Sequence, residues 1–249
     1  MKTFVINLDK DPERMSSMGE QLHRLEIDYE RVAGVYAKAM TAEERNKYVN
    51  RFRWWCAVGR PVMPAEIGCA LSHKQIYERM IREDIPFACI FEDDVLLAEE
   101  LPAQLKMIEE WITVGKPEVV MLSNHTGMDF NKVGQKVFAG AAGQIFRTKT
   151  GMCTDGYCIT KDAARKLLQQ NFPIIVPCDN WWRWVANGVI ELYHAAPSTV
   201  AQDQDQFGSS TSAGREQRLR PLTIRWAIHK SKRLIGKPLD WMMGKILGK

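Results

Sequence analysis

The sequence predicts an α/β domain built on a mixed, mostly parallel central sheet. Short apolar runs typical of buried strands alternate with stretches whose apolar residues recur at helical spacing, most regularly in the first half of the chain. There is no internal repeat. With 249 residues and an apolar fraction of 45%, the chain has enough material for a sizeable core. We expect one domain over residues 1–214 and a separate tail over 215–249.

The first half of the chain contains the clearest alternation of strands and helices. Pro12 stands in a helical first turn, and Thr41-Ala-Glu-Glu44 is a capping box that opens a short helix. The predicted elements are a strand over Thr3–Leu8, a helix over Asp11–Glu26, a strand over Tyr29–Val32, the short helix after Thr41, a loop rich in arginine and tryptophan over 50–64, a helix over Ala65–Arg82 and a buried strand from Pro86.

The second half is more mixed, and its glycine-rich segment at 124–150 predicts hairpins or long loops. Thr160 or Asp162 is expected to cap one helix, and Asp179 to cap a short helix rich in tryptophan. The predicted elements are a helix over 98–113, a strand over Glu118–Leu122, a strand over Gly156–Ile159, the two capped helices, a last strand over Val189–Tyr193 and a polar, flexible segment over 195–214.

Three consecutive carboxylates, Glu92, Asp93 and Asp94, directly follow an apolar strand. Crowded carboxylates raise one another's pKa and destabilise a fold unless a cation neutralises them. In open α/β sheets, ligands bind at the carboxyl ends of the strands. Mg²⁺ and Mn²⁺ prefer oxygen ligands and keep positions for phosphates. The triplet therefore predicts a site for a divalent cation and a diphosphate. A solvated turn or an acidic helix N-terminus is the alternative.

Five motifs occur in order along the chain. They are FVINLDKDPERM at 4–15, ERVAGV at 30–35, AEIGCALSHKQIYERM at 65–80, ACIFEDDV at 88–95 and DGYCITKDAARKLL at 155–168. Together they resemble glycosyltransferase family 25, which includes bacterial lipooligosaccharide galactosyltransferases and procollagen galactosyltransferases. The resemblance spans roughly residues 3–210 and leaves out the tail.

The resemblance implies a GT-A-like nucleotide-sugar-binding domain and an inverting transfer, most often of galactose from UDP-galactose to a saccharide of lipooligosaccharide or lipopolysaccharide. Asp94 would ligate Mn²⁺ or Mg²⁺, and Glu92 or Asp93 would assist it or contact the ribose. The alternatives are a non-catalytic carbohydrate-binding or adhesion protein, a nucleotide-sugar hydrolase, and the same enzyme with UDP-glucose or a UDP-N-acetylhexosamine as donor.

An inverting transfer needs one general base for the acceptor hydroxyl. Asp179 is the first candidate because it lies in a proline-bounded turn beside Trp181 and Trp182, whose rings can stack on a sugar. Asp155 is the second candidate. The alternative is that Asp179 only caps a helix and the tryptophans fill the core.

Further site residues come from the matching motifs. In the family reading, Asn7 and Arg14 face the nucleotide, and Ser72 and His73 contact the donor sugar or the diphosphate. An exposed arginine and a structural histidine are the alternatives. The third metal ligand would be His194, in competition with Gln202, Asp203 and Asp205.

The arginine- and tryptophan-rich segment at 51–61 is either a lid over the donor, a contact for an anionic acceptor or an ordinary loop. Nucleic-acid binding is not expected, because residues 1–214 are net acidic. The six cysteines form no C-x-x-C or zinc pattern, which indicates reduced thiols in a cytosol.

The tail at 215–249 carries ten Lys/Arg and two Asp/Glu, and its apolar residues fall on one helical face. A basic amphipathic helix with Trp226 and Trp241 is typical of an anchor on an anionic membrane surface. The alternative is a helix that packs on the domain. The N-terminus does not resemble a signal peptide. We therefore expect a cytoplasmic protein that is peripheral on a bacterial inner membrane.

Overall fold

The computed structural model describes residues 1–203. The predicted tail at 215–249 and the candidate ligand Asp205 lie outside the described residues. Over residues 1–203, every helix is too short or too polar to cross a lipid bilayer.

An eight-stranded sheet organises the described residues. The elements in chain order are β1 (Lys2–Asn7), α1 (Pro12–Arg24), β2 (Glu30–Ala33), α2 (Ala42–Lys47), α3 (Arg51–Val58), α4 (Pro64–Arg82), β3 (Phe87–Glu92), β4 (Val95–Leu97), α5 (Leu101–Trp111), β5 (Glu118–Met121), α6 (Phe130–Val133), β6 (Gln135–Gly140), β7 (Gly143–Thr148), β8 (Gly156–Thr160), α7 (Lys161–Asn171), α8 (Trp181–Ala186), β9 (Glu191–Ala196) and β10 (Val200–Gln202). The sheet has the order β2-β1-β3-β8-β5-β9-β7-β6, and β4 pairs with β10 in a separate ribbon.

The sheet is mixed, as predicted. Strand β1 runs parallel to β2 and β3, and β5 runs parallel to β9, whereas the other four pairings are antiparallel. Six strands, β2, β1, β3, β5, β9 and β6, therefore point one way, and β8 and β7 point the other. The carboxyl ends of β1, β3 and β5 consequently lie at one edge of the sheet, where ligands bind in open α/β folds.

Helices cover both faces of the sheet, because successive strand residues point to opposite sides. Phe4 of β1 and Ile90 of β3 pack with α4, α7 and α8, whereas Val5 and Phe91 pack with α1 and α5. Both cores are fully buried, which is typical of a sheet with helices on both faces.

The prediction of a loop over residues 50–64 is wrong, because Arg51–Val58 forms α3. Its apolar residues do not follow a helical period, and Trp54 is its one buried side chain. The helix is defined instead by its ends. The Asn50 side chain accepts a hydrogen bond from the Arg53 amide, and Gly59 ends the helix with φ 77°.

Other predictions in the second half need smaller corrections. The N-cap of α8 is Asn180 and not Asp179. Thr160, as predicted, caps α7 through a hydrogen bond from the Ala163 amide. The glycine-rich segment contains the β6–β7 hairpin. The segment predicted to be flexible holds the end of β9 and all of β10 where it is described, because the apolar Val200 packs into the core.

Candidate active site

The acidic triplet lies where β3 ends and turns into β4, beside the carboxyl end of β1. A cavity opens here between β1, the segment at 35–38 and the first half of α4. Its lining includes Lys10, Arg14 and Tyr36 as well as the triplet. The predicted nucleotide-side residues Asn7 and Arg14 are thus brought together with Glu92, Asp93 and Asp94.

Asp93 and Asp94 share the cationic partner Arg14. The Asn7 amide Nδ2 donates to Asp93 Oδ2 at 2.6 Å, and Arg14 Nη1 lies 3.5 Å from Asp93 Oδ1 and 3.4 Å from Asp94 Oδ2. Burial, followed by the charge of Glu92, raises the pKa of Asp94 to about 7 although Arg14 opposes the rise. Burial also raises the pKa of Asp93. The site therefore has more negative charge than Arg14 compensates.

Glu92 faces inward, toward α4 and the segment before β8. Its Oε1 accepts from Thr154 Oγ1 at 2.5 Å and lies 3.4 Å from His73 Nε2. Burial would raise the pKa of Glu92, but hydrogen bonds from His73 and Thr154 outweigh it and lower the pKa. Glu92 is consequently an ionised carboxylate held by the interior of the protein.

His73 is buried at the centre of a hydrogen-bonded chain. Its Nδ1 is bonded to the Tyr157 hydroxyl at 2.7 Å, and that hydroxyl is bonded to the Tyr77 hydroxyl at 2.7 Å. Burial favours neutral imidazole, but contacts with Cys69 and Glu92 raise the pKa of His73 to about 9. The side chain therefore orients Glu92 from within the fold.

The Ser72 side chain joins backbone groups of α4 and of the segment at 35–38. Its hydroxyl donates to the Gly68 carbonyl at 2.8 Å and accepts from the Val35 amide at 2.8 Å. Gly68 permits this approach, because a Cβ at position 68 would lie 2.4 Å from the Val35 carbonyl oxygen. The Gly-Cys-Ala-Leu-Ser-His run of α4 thus shapes the cavity wall.

Asp155 forms a triad with Ser123 and with the half-buried His125, a histidine that the sequence analysis did not predict. Asp155 Oδ1 accepts from Ser123 Oγ at 2.8 Å, and Oδ2 is bonded to His125 Nε2. The hydrogen bond that His125 donates to Asp155 raises the pKa of His125, and Asp94 and Glu92 contribute through their charges. A histidine just after a strand that ends at the ligand-binding edge was the available signal.

Asp179 lies in the turn between α7 and α8, next to Cys178. Cys178 Sγ is 3.3 Å from Cys69 Sγ, so this turn borders the Glu92 cluster. Trp181 is fully buried and donates from its indole nitrogen to the Cys153 carbonyl at 2.7 Å, whereas Trp182 is 44% exposed. Stacking of a sugar on Trp181 is therefore excluded by its burial, and Trp182 is the accessible ring.

The candidates for a third metal ligand fall in two places. His194 is buried in β9 with Nδ1 2.9 Å from Thr148 Oγ1, and burial lowers its pKa to about 4. Asp203, in contrast, lies beside the triplet, because its amide donates to the Asp94 carbonyl at 2.9 Å. Gln202 pairs with Val95 in the β4–β10 ribbon.

Comparison with known proteins gives a family and several distant relatives. The profile of glycosyltransferase family 25 (LPS biosynthesis protein) matches residues 1–182. Procollagen galactosyltransferase 1-A of Xenopus laevis is 29% identical over 102 residues, which is 38% of this chain and 16% of the relative. The lipooligosaccharide biosynthesis protein lic2B of Haemophilus influenzae is 30% identical over 106 residues, 41% of this chain and 40% of the relative.

A third relative aligns over more of the chain. A glycosyltransferase 25 family member of Anopheles gambiae is 25% identical over 189 residues, 72% of this chain and 30% of the relative. The alignments thus span between 16% and 40% of the length of these three relatives.

Proposed function

The chain belongs to glycosyltransferase family 25, and from this premise we propose that it transfers galactose from UDP-galactose to a saccharide acceptor with inversion. The observation that carries the proposal is the excess of buried carboxylate at the edge of the sheet, where burial and Glu92 raise the pKa of Asp94 to about 7. Two of the relatives are a procollagen galactosyltransferase and a lipooligosaccharide biosynthesis protein, which supports the choice of sugar and acceptor. We further propose a GT-A-like arrangement of the fold, because the triplet ends a strand beside a cavity.

The residues present fit a hard divalent cation, Mn²⁺ or Mg²⁺. Asp93 and Asp94 offer oxygen donors on one side of the cavity, and Asp203 is held next to them. When bound, such a cation acts as a Lewis acid for the leaving diphosphate. We assign Asp94 as the principal ligand and place Glu92 behind it, because Glu92 Oε1 is already bonded to Thr154 and His73. His194 stays a weaker candidate.

Arg14, Asn7 and Lys10 would hold the donor from the β1 side. Arg14 bridges the two carboxylates, so it can neutralise phosphate oxygens at the same position. The Asn7 side chain accepts from Arg31 Nε at 2.8 Å and donates to Asp93, which fixes the orientation of its amide. Ser72 and His73 act on the donor indirectly, by positioning the segment at 35–38 and Glu92.

Two groups compete for the role of general base. His125 is oriented by Asp155 and lies within electrostatic reach of Asp94, so an imidazole nitrogen could take the proton of an acceptor hydroxyl while Asp155 steadies the ring. Asp155 itself accepts from Ser123 and is bonded to His125, which makes it a positioning residue. Asp179 is the second candidate, beside the exposed ring of Trp182.

The acceptor is proposed to be a glycolipid saccharide at the cytoplasmic face of a bacterial inner membrane. The basic tail at 215–249 would contact the anionic leaflet. Deleting residues 221–249 should then release the protein from pelleted anionic vesicles. Equal pelleting of the full and truncated chains would remove this part of the proposal.

Donor binding and turnover test the central proposal. Thermal unfolding is measured with UDP-galactose, UDP-glucose, UDP-N-acetylhexosamines and UDP, each with Mn²⁺ or EDTA, and UDP release is followed with and without acceptor. We expect a cation-dependent rise in melting temperature that is largest for UDP-galactose. Asp94→Asn should remove it, whereas the exposed Asp28→Asn should not.

The other outcomes separate the alternatives. No response to any uridine nucleotide would refute the proposal and favour a carbohydrate-binding protein. Equal UDP release without acceptor would indicate a hydrolase. For the base, His125→Gln and Asp179→Asn are compared for donor binding and turnover. The substitution that removes the general base should leave donor binding unchanged and abolish turnover.

A further inference from the structure

We propose that Cys69, His73 and Glu92, completed by Cys178 on rotation of its side chain, form a second, tetrahedral cation site for Zn²⁺ or a similarly thiophilic metal. These four side chains come from α4, β3 and the turn before α8. The site differs from the Asp93–Asp94 pair in its donors, which are two thiols and an imidazole in addition to one carboxylate. Hard cations prefer oxygen, whereas Zn²⁺ takes sulfur and nitrogen.

Three of the distances between the ligand atoms are close to the edges of a zinc tetrahedron. Zinc bonds of about 2.3 Å to sulfur and 2.0–2.2 Å to nitrogen and oxygen give ligand–ligand edges of about 3.4–3.8 Å. The observed edges are 3.3 Å between Cys69 Sγ and Cys178 Sγ, 3.9 Å between Cys69 Sγ and Glu92 Oε1, and 3.4 Å between His73 Nε2 and Glu92 Oε1. The potential ligand atoms of Cys69, His73 and Glu92 all lie within 4.8 Å of one another, whereas Cys178 Sγ lies beside Cys69 Sγ and outside this group. Each of the three edges given is within about half an ångström of the ideal value, and the Cys178 side chain would rotate toward His73 and Glu92 to complete the set.

The groups around these four residues support the assignment independently. Metal-bound histidines usually engage the other ring nitrogen in a hydrogen bond, which fixes the direction of the ligating nitrogen. Here His73 Nδ1 is bonded to the Tyr157 hydroxyl at 2.7 Å, and Nε2 points to Glu92. Thr154 Oγ1 donates to Glu92 at 2.5 Å and holds the carboxylate in place. A hydrogen-bonded outer shell of this kind leaves His73 and Glu92 already oriented.

The two thiols lie 3.3 Å apart, at the distance of a hydrogen bond between sulfur atoms. A bound cation would replace the thiol protons and the imidazole proton, because metal ligands bind in their deprotonated forms.

Such a cation would join α4 to the turn that carries Asp179. The Cys178 backbone adjoins Asp179, and Cys69 lies one helical turn before His73 in α4. The cation would hold that turn against the wall of the cavity. The inference does not depend on the proposed transfer reaction, because the four ligands belong to the folded chain whatever its substrate.

The test uses Co²⁺ as a spectroscopic substitute for Zn²⁺, added to the full-length chain in the presence of a phosphine reductant. We expect one equivalent of Co²⁺ to produce a thiolate-to-cobalt charge-transfer band and the visible bands of tetrahedral cobalt, and one equivalent of Zn²⁺ to abolish both. Cys69→Ser and Cys178→Ser should lose the charge-transfer intensity. Cys56→Ser is the matched control, because Cys56 is exposed and lies on α3.

A second measurement does not need variants. Zn²⁺ should protect Cys69 and Cys178 of the unaltered protein from alkylation, read by mass spectrometry, and leave Cys56 unprotected. Asp94→Asn should keep the cobalt bands, which separates this site from the nucleotide site. The proposal would be overturned if the chain, which has six cysteines, shows no thiolate-to-cobalt charge-transfer band. Bands that survive in Cys69→Ser, or a Cys69–Cys178 disulfide that resists the reductant, would overturn it equally.

Discussion

Asp94→Asn should stabilise the cation-free protein although it removes the proposed ligand. Burial and the neighbouring Glu92 raise the pKa of Asp94 from 3.8 to about 7. Each pKa unit corresponds to about 1.4 kcal/mol, so the ionised carboxylate costs at most about 4 kcal/mol of unfolding free energy. Asparagine has the same size and no charge. Because Arg14 loses one of its two carboxylate partners, we expect a net gain of about 2 kcal/mol.

The sign of this effect depends on pH in a defined way. The folded-state pKa of Asp94 lies above the unfolded value, so the unfolded chain releases the proton first as the pH rises. The wild-type protein therefore loses stability between about pH 4 and pH 7 through this group. The gain in Asp94→Asn should be near zero at pH 4 and reach its full size above pH 7.

Urea unfolding in EDTA at several pH values, followed by circular dichroism, measures this gain. Asp28→Asn, an exposed carboxylate, is the control and should change little. In Mn²⁺ and UDP the order should reverse, because only the wild-type protein gains stability from the ligand. If Asp94→Asn is instead less stable in EDTA at pH 8, the carboxylate is a structural partner of Arg14. The reasoning from crowded charge would then be refuted.

Three further substitutions test the site and its supports. Tyr157→Phe should lower the unfolding free energy by about 1–3 kcal/mol, because His73 and Tyr77 lose a buried hydrogen-bond partner, and the exposed Tyr48→Phe should not. Gly68→Ala should cost about 1–3 kcal/mol in the same urea assay and weaken donor binding, since its Cβ would meet the Val35 carbonyl at 2.4 Å. His194→Gln should flatten the stability profile below neutral pH. Burial lowers the pKa of His194 to about 4, so the wild-type protein loses up to about 3 kcal/mol as the pH falls from about 6.5 to 4.

Each of these three predictions would be contradicted by a specific result. Unchanged stability in Tyr157→Phe would mean that the hydroxyl chain contributes nothing to the core. Normal stability and donor affinity in Gly68→Ala would show that the segment at 35–38 can move away from α4. A steep acid transition retained in His194→Gln would assign that transition to other groups.

Strands β1 and β3 were predictable because each carries its signal locally. Phe4 and Val5 in β1, and Ile90 and Phe91 in β3, lie in short apolar runs that need no partner to be recognised. Helix α3 was not predicted because its apolar residues do not recur at helical spacing among its arginines and tryptophans. Asn50 and Gly59 nevertheless mark its two ends. Local pattern therefore identified elements with an apolar run, and the Thr41 capping box identified α2, whereas the caps of α3 were not recognised.

The site was predictable only as far as neighbouring residues show it. The triplet is contiguous, and its place at the carboxyl end of β3 follows from the strand before it. The His125–Asp155 contact joins residues 30 positions apart, and Cys69–Cys178 joins residues 109 apart. Both depend on β8 running antiparallel between β3 and β5, and no local signal in the sequence specifies that pairing.

The different partners of the three carboxylates in the triplet can also be seen only in the structure. Glu92 is the last residue of β3, and its Oε1 is bonded to His73 of α4 and to Thr154 of the segment before β8. Asp94 follows the strand and shares Arg14 with Asp93. One carboxylate is thus stabilised by the interior, and the other two share a single guanidinium among the described residues. A charge imbalance that persists beside an open cavity is tolerable when the missing positive charge arrives with the ligand. This is why we place the diphosphate and its cation at Asp94.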